Sequence, residues 1–319
     1  MISGLLLIDK PAGITSFDVV RRVRRALKVR KVGHLGTLDP FATGLLPLAL
    51  GEATKLAQFL LEESKTYRAV LKLGAETDTQ DLTGRITRES EALPAREEIY
   101  QAAGRLVGEI DQVPPKYSAV HHQGTRLYKL ARQGEAVEAP PRKVVIHRLE
   151  VEDITLPRIT ILVECSKGTY VRTLAHDLGR TLGCGAHLVG LTRLAVGPFR
   201  LEEALPLEEI EKPEKAESIR RHLIPLADCL PGFPAVQVDR AQARRLAQGQ
   251  TLPWPETLPA EKVRVVNEGA LVAVAASRTQ GAHQVLVTLR VFHQAFASQD
   301  RSEHRAGPAA QGKPQAGGL

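Results

Sequence analysis

Residues 4–8 are apolar without interruption and stop at Asp9, Lys10, Pro11 and Gly13, the pattern of a buried strand closed by a turn. Thr15 or Ser16 then caps a helix over 17–27, in which Phe17, Val20, Val23 and Leu27 recur at three- and four-residue spacing as the inward stripe. A second amphipathic helix is predicted over 52–61, with Leu56, Phe59 and Leu60 inward. Residues 65–73 alternate instead, which predicts a strand carrying Tyr67, Ala69, Leu71 and Leu73 on one face. The polar stretch 76–84 reads as a loop and 95–107 as a helix. Residues 144–154 and 158–166 read as the arms of a hairpin, 170–182 as a helix beginning beside Gly168, and 187–196 as a last apolar strand.

The pattern then changes. Residues 202–221 are rich in acids, lysines and prolines and read as a linker or peripheral segment. Residues 233–292 combine a short helix over 240–247 with strand-like runs at 263–266, 270–275 and 284–289, a compact and mostly β second domain. Residues 113–134 open with Pro114-Pro115 and read as an excursion from the core. The expected division is a first domain over 1–230 with an insertion at 113–141, a second over 231–293, and a disordered tail over 294–319 that is rich in Gly, Ala, Gln and Pro.

Between the first helix and the apolar run at 45–50 lies G-H-L-G-T-L-D-P-F-A-T-G-L-L-P, residues 33–47. Three glycines, two prolines and two threonines interrupt any regular element there, so the backbone runs as a shaped loop. It carries His34 and one carboxylate, Asp39, which Pro40 biases toward an extended or turn geometry. From spacing alone the loop reads equally as a catalytic element or as a turn with Asp39 as its hydrogen-bonding residue. The helix before it carries Arg21, Arg22, Arg24, Arg25 and Lys28, with Arg30 and Lys31 just beyond: seven cations without an acid between Val19 and Val32. Such a face exceeds what solubility requires and fits phosphate contact.

A net charge of +7 and a pI near 9.4 point to an acidic partner, most often nucleic acid. Cys165, Cys184 and Cys229 are widely separated, with no metal or disulfide spacing, which fits a reducing cytoplasm. His121 and His122 are adjacent and lack ligand spacing, so no metal is expected. No stretch is long and apolar enough to span a bilayer, and no nucleotide-cradling glycine motif or nucleophile elbow occurs.

The 33–47 block, together with L-L-I-D-K-P-A-G-I-T-S from Leu6, G-E-A-T-K-L-A-Q-F-L from Gly51, K-T-Y-R-A from Lys65 and C-S-K-G-T-Y-V-R-T-L-A from Cys165, closely resembles the bacterial tRNA pseudouridine-55 synthases of the TruB family. P-P-K-Y-S-A-V from Pro114, followed by G-T-R-L-Y-K-L-A-R-Q-G, resembles their tRNA-clasping insertion. One departure is Phe41, where the family more often has leucine.

The resemblance implies an α/β fold of the α+β type. A mixed, largely antiparallel central sheet with flanking helices holds a catalytic cleft, and a small β-rich PUA-like domain follows. It implies a monomer that isomerises the T-loop uridine of tRNA, with the T-stem-loop as partner and with neither cofactor nor metal. Asp39 matches the family's catalytic aspartate, Arg172 the arginine paired with it, and Tyr67 the aromatic that stacks on the flipped base and assists proton removal. Tyr170 matches a second pocket aromatic, His34 the residue supporting the rearranged RNA loop, and Leu191 an apolar wall, while Lys55, Arg21, Arg24, Arg25 and Lys28 are left for phosphate contacts. A nearby cation is expected to lower the pKa of Asp39 so that it is ionised for attack. An RNA-guided catalytic subunit and a non-enzymatic RNA-folding protein are the alternatives. The insertion argues against the first, and the set of Asp39, Tyr67 and Arg172 against the second.

Overall fold

The structure, a computed structural model, describes residues 2–115, 121–122, 125–126, 139–212, 216–255, 258, 260–280 and 283–293. They fall into two compact units divided between Leu223 and Ile224. Most of the insertion expected over 113–141, and the whole tail expected over 294–319, lie outside the described residues.

The first unit opens with β1 (Gly4–Lys10), α1 (Ser16–Leu27), β2 (Val32–His34) and β3 (Thr43–Leu50). A 3₁₀ segment, Gly51–Leu56, leads into the single turn α2 (Ala57–Leu60) and then β4 (Lys65–Leu73). Next come β5 (Ala75–Thr77), β6 (Ile86–Glu89), α3 (Arg96–Gly104), β7 (Gly108–Gln112) and the two-residue pair β8 (His121–His122) and β9 (Thr125–Arg126). The long hairpin β10 (Arg142–Thr155) and β11 (Arg158–Cys165) precedes α4 (Val171–Thr181) and β12 (Ala186–Val196). The unit closes with β13 (Phe199–Arg200), β14 (Leu205–Pro206), α5 (Leu207–Ile210) and α6 (Ala216–Arg221).

Ten of these strands form one sheet in the order β14-β1-β3-β12-β4-β11-β10-β7, with β2 on β3 and β13 on β12. Only β1–β14 and β3–β12 are parallel, so the sheet is mixed and largely antiparallel. β12 lies between β3, into which the 33–47 stretch runs, and β4, the strand of Tyr67. One core packs β4, β11 and β12 against α3 and α4, and another packs β1 and β3 against α1.

Local chemistry accounts for the helices. Thr15 caps α1 by accepting from Asp18 N at 3.1 Å, and the Asp18 carboxylate returns to Thr15 N at 3.0 Å. The buried stripe is Ser16, Val19, Val20, Val23 and Leu27. Phe17, expected inward, is 61% exposed, because Val19 rather than Phe17 completes the helical repeat with Val20 and Val23. In α4, Gly179 makes close packing possible: a Cβ there would stand 2.1 Å from Ala186 N, at the start of β12.

Further expectations change: the stretch 33–47 is irregular only over 35–42, because residues 33–34 belong to β2 and 43–47 to β3. Residues 51–60 split into a 3₁₀ segment and one α turn, although Leu56, Phe59 and Leu60 are inward as expected. The predicted loop 76–84 begins within β5, which pairs with β6. The predicted linker 202–221 belongs to the first unit: β14 extends the sheet beside β1, and Leu207, Ile210 and Ile219 are buried in the α1 core. Its many charges masked these widely spaced apolar positions.

The second unit holds β15 (Ala235–Gln237), α7 (Arg240–Ala247), β16 (Leu252–Trp254), β17 (Lys262–Asn267), β18 (Ala270–Gln280) and β19 (His283–Val291). The sheet runs β15-β17-β18-β19-β16, and Ala243 and Leu246 of α7 are buried with Val263, Val265 and Leu286. Residues 224–230 attach here rather than to the first unit. Arg264 donates to the carbonyls of Phe233 (2.7 Å) and Ala227, and buried Cys229 turns its thiol to Pro225 O at 3.1 Å.

Candidate active site

The 33–47 loop is shaped by bonds to its backbone. Fully buried Lys10, at the end of β1, donates to Ala42 O (2.7 Å), Pro40 O (3.2 Å) and Pro11 O (2.9 Å). Ser16, the first residue of α1, accepts from Leu38 N at 2.9 Å and donates to Leu38 O at 3.2 Å. Gly13 N bonds Pro40 O at 2.8 Å, and a tight turn brings Ala42 N to Asp39 O at 3.1 Å. With Leu38 and Ala42 buried on either side, Asp39 is left to project its carboxylate.

That carboxylate faces Arg172, at the start of α4, with Oδ2 3.7 Å from Nε. Arg172 is buried, and its Nη1 stands 3.4 Å from Oδ2 of buried Asp81. Asp81 is itself locked: its Oδ1 accepts from Thr79 Oγ1 (2.8 Å), Thr83 N (2.9 Å) and Thr83 Oγ1 (2.6 Å). A fork donor held between two carboxylates, one fixed and one projecting, has its orientation set from behind. Burial pushes the Asp39 pKa above its ordinary 3.8. Arg172 opposes that rise, Asp81 adds to it and Lys10 opposes it. The expected net lowering is therefore reversed, because desolvation, with Asp81 added, outweighs the Arg172 and Lys10 charges.

Tyr67 of β4 is 8% exposed, and burial raises its pKa while the neighbouring Arg193 charge opposes the rise. Tyr170, the N-cap of α4, is gripped through its backbone by fully buried Gln112, which accepts from Tyr170 N at 2.7 Å and donates to Tyr170 O at 3.1 Å. Two cations stand over its ring, with the Arg142 guanidinium carbon 4.7 Å and that of Arg172 5.6 Å from the centroid.

Asp39, Tyr67, Tyr170, Arg172 and Leu191 thus line one cleft, together with Thr37, Leu38, Thr169 and Val171. His34 is not among the lining residues. It ends β2, its Nδ1 is buried without a hydrogen-bond partner among the described residues, and burial, with Arg193 second, lowers its pKa. Lys55 lies in the 3₁₀ segment and pairs with Glu52 at 2.5 Å. On α1, Arg21 pairs with Asp18 at 2.7 Å and Arg25 approaches Glu211 at 4.0 Å, while Arg24 and Lys28 are exposed. Sequence reasoning missed Lys10, Asp81, Gln112 and Arg142 as supports of the site. Only Asp81 carried a readable signal, the T-D-T-Q-D-L-T cluster, in which short polar side chains build local turns.

Comparison with known proteins identifies a family. Residues 24–171 match the N-terminal domain of the TruB family pseudouridylate synthases, and residues 172–230 match the tRNA pseudouridylate synthase B C-terminal domain. The chain is 45% identical over 273 residues to the tRNA pseudouridine synthase B of Dechloromonas aromatica, covering 86% of this chain and 91% of that one. It is 43% identical over 286 residues to the enzyme of that name from Geobacter sulfurreducens, covering 86% and 94%. Among solved structures, a Cbf5-Nop10-Gar1 complex contains a chain with a TM-score of 0.71 and 26% identity, covering 90% of this chain and 84% of that one. The chain belongs to the TruB family of pseudouridylate synthases.

Proposed function

We propose that the protein converts uridine 55 in the T loop of tRNA to pseudouridine, with Asp39 as nucleophile. One observation carries this reading: a projecting carboxylate faces the buried Arg172 at 3.7 Å in a cleft walled by Tyr67, Tyr170 and Leu191. An aromatic, apolar cleft with one carboxylate fits a flipped pyrimidine better than a phosphate or a sugar. In the reaction the N1–C1′ bond breaks, the base turns, a C5–C1′ bond forms, C5 loses a proton and N1 gains one. Nothing is oxidised or reduced. Ionised Asp39 forms the covalent intermediate that divides this exchange into two steps, and Arg172 orients it and stabilises its charge. Tyr67 stacks on the base, with its phenol placed to assist proton removal at C5. Tyr170 and Leu191 close the pocket, and His34 supports the opened RNA loop.

The basic outer face of α1 and Lys55 lie along the RNA backbone, and the 113–141 insertion grips the T arm. The second unit serves as a PUA-like RNA-binding module. The protein acts as a cytoplasmic monomer. The test is incubation of the protein alone, without any guide RNA, with an unmodified T-stem-loop, followed by mapping of pseudouridine. Conversion at the position-55 uridine is expected, and Asp39→Asn is expected to abolish it while tRNA binding stays within about tenfold. Conversion by Asp39→Asn, or a requirement for guide RNA, would overturn this reading.

A further inference from the structure

Lys10 and Ser16 hold the 33–47 loop from one side. From the other side it is held by Arg193, among the largest fully buried side chains, at 1% exposure. Arg193 lies on β12, where its parallel neighbour is Gly44 of β3 and its antiparallel neighbour is Tyr67 of β4. The guanidinium donates from Nε to Leu45 O at 2.7 Å, from Nη2 to Gly36 O at 3.1 Å and from Nη1 to Thr37 O at 3.5 Å. Gly36 and Thr37 precede Asp39 and Leu45 follows it, so one planar group spans both limbs of the loop. Gly44 permits this approach: its φ is +97°, and a Cβ there would stand 2.4 Å from Arg193 O.

Burying a guanidinium is costly, and an apolar side chain of similar volume packs a strand more cheaply. Among the described residues Arg193 bonds three peptide carbonyls and the Tyr67 side chain. Its charge nevertheless reaches the cleft. It favours the ionised form of Tyr67 against the effect of burial, and it adds to burial in lowering the pKa of His34.

We propose that Arg193 is a positioning residue for the isomerisation, joining the two limbs of the Asp39 loop to Tyr67 so that carboxylate and phenol meet the flipped base at one fixed spacing. The inference rests on the reading of Asp39 as nucleophile. Arg193 itself does not touch the base. Lysine at this position keeps the charge but cannot reach all three carbonyls from one plane.

The experiment compares Arg193→Lys, Arg193→Gln, Tyr67→Phe and the Arg193→Lys/Tyr67→Phe double variant with the parent protein. Each is measured for single-turnover conversion of a T-stem-loop at saturating enzyme, for RNA affinity and for thermal unfolding. Folded Arg193→Lys is expected to bind RNA within about threefold of the parent. Its conversion is expected to slow by about a hundredfold, the scale of a 1 Å misplacement. The double variant is expected to be little slower than the slower single variant, because the two residues act through one arrangement. Near-parental conversion by folded Arg193→Lys, or fully additive losses, would overturn the inference. If Arg193→Lys does not fold, Arg193→Gln is read by the same criteria. Failure of both to fold would assign Arg193 to folding and overturn it equally. Asp39→Asn run in parallel separates the two readings: conversion by that variant removes the nucleophile assignment, whereas its loss beside a near-parental Arg193→Lys removes only this inference.

Discussion

At the scale of single residues, the site sets stability against chemistry at Asp39. Burial raises its folded pKa above the ordinary 3.8. As pH rises through the interval between the unfolded and folded values, the native state holds the proton longer, so this group's contribution to stability falls and stays lower at neutral pH. Asp39→Asn is therefore expected to melt at the same or a higher temperature than the parent at pH 7 while losing conversion, which paired thermal unfolding and single-turnover assays would show. The same balance predicts a pH profile. With Asp39 as the proposed nucleophile, conversion requires its carboxylate ionised, so the rate should fall as pH drops through a midpoint above the ordinary aspartate value. Asp81 raises that midpoint and Lys10 lowers it. Removing the Asp81 charge by Asp81→Asn should shift the acid limb to lower pH, even as the plateau falls through loss of the Arg172 support. Removing the Lys10 charge by Lys10→Met should shift it to higher pH. Shifts in the opposite sense would show that the limb does not belong to Asp39. Asp39 itself was legible as the lone carboxylate of a loop too rich in Gly and Pro to be regular. The role of Arg172 came from family resemblance. Lys10, Gln112 and Arg193 stayed hidden because a charged or amide residue in a strand does not reveal from its letter that its side chain is buried on carbonyls.

At the scale of elements, strands and helices with regular spacing were legible, including the hairpin β10–β11 and the alternation of β4. Order in the sheet was not. That β12 enters between β3 and β4 depends on contacts more than a hundred residues apart in sequence, which no local pattern encodes. Gly179 is one local trace of that packing, a glycine inside a helical pattern that marks a close approach. Gly179→Ala would force α4 away from Ala186 and tilt Arg172 from Asp39. A loss of about 1–3 kcal/mol, the cost of overpacking, is expected by chemical unfolding, together with slowed conversion. On α1 the exposed Arg24 and Lys28 and the exposed ends of Arg21 and Arg25 form the outer face. Replacing Arg21, Arg24 and Arg25 with glutamine should flatten the salt dependence of tRNA binding by roughly 0.7 to 0.9 per lost phosphate contact. Turnover of bound substrate should change little, and an unchanged slope would return this helix face to a solvating role.

At the scale of the whole molecule, the placing of the boundary between the two units decides how they can be separated. The change of sequence pattern before the mostly β run at 233–292 suggests 230. Packing places it between Leu223 and Ile224. Residues 224–230 fall on the other side because Leu230 and Cys229 are buried and Arg264 of β17 bonds the carbonyl of Ala227. A chain truncated after Leu230 would carry these apolar residues without the unit that covers them, an exposed segment of the kind that promotes association. A chain truncated after Leu223 would end with the Leu223 side chain still packed against the α1 core. The shorter chain is therefore expected to be the more soluble and the more sharply two-state on unfolding, a comparison that light scattering and thermal unfolding can make directly. Because Asp39, Tyr67, Tyr170, Arg172 and Leu191 all lie in the first unit, it should still convert the uridine of a T-stem-loop at close to the parental single-turnover rate. With the second unit as the proposed RNA-binding module, affinity for full-length tRNA should drop and its salt dependence flatten on its removal. A folded 1–223 chain that binds the stem-loop but does not convert it would show that the second unit takes part in assembling the site, and would overturn its assignment as a binding accessory.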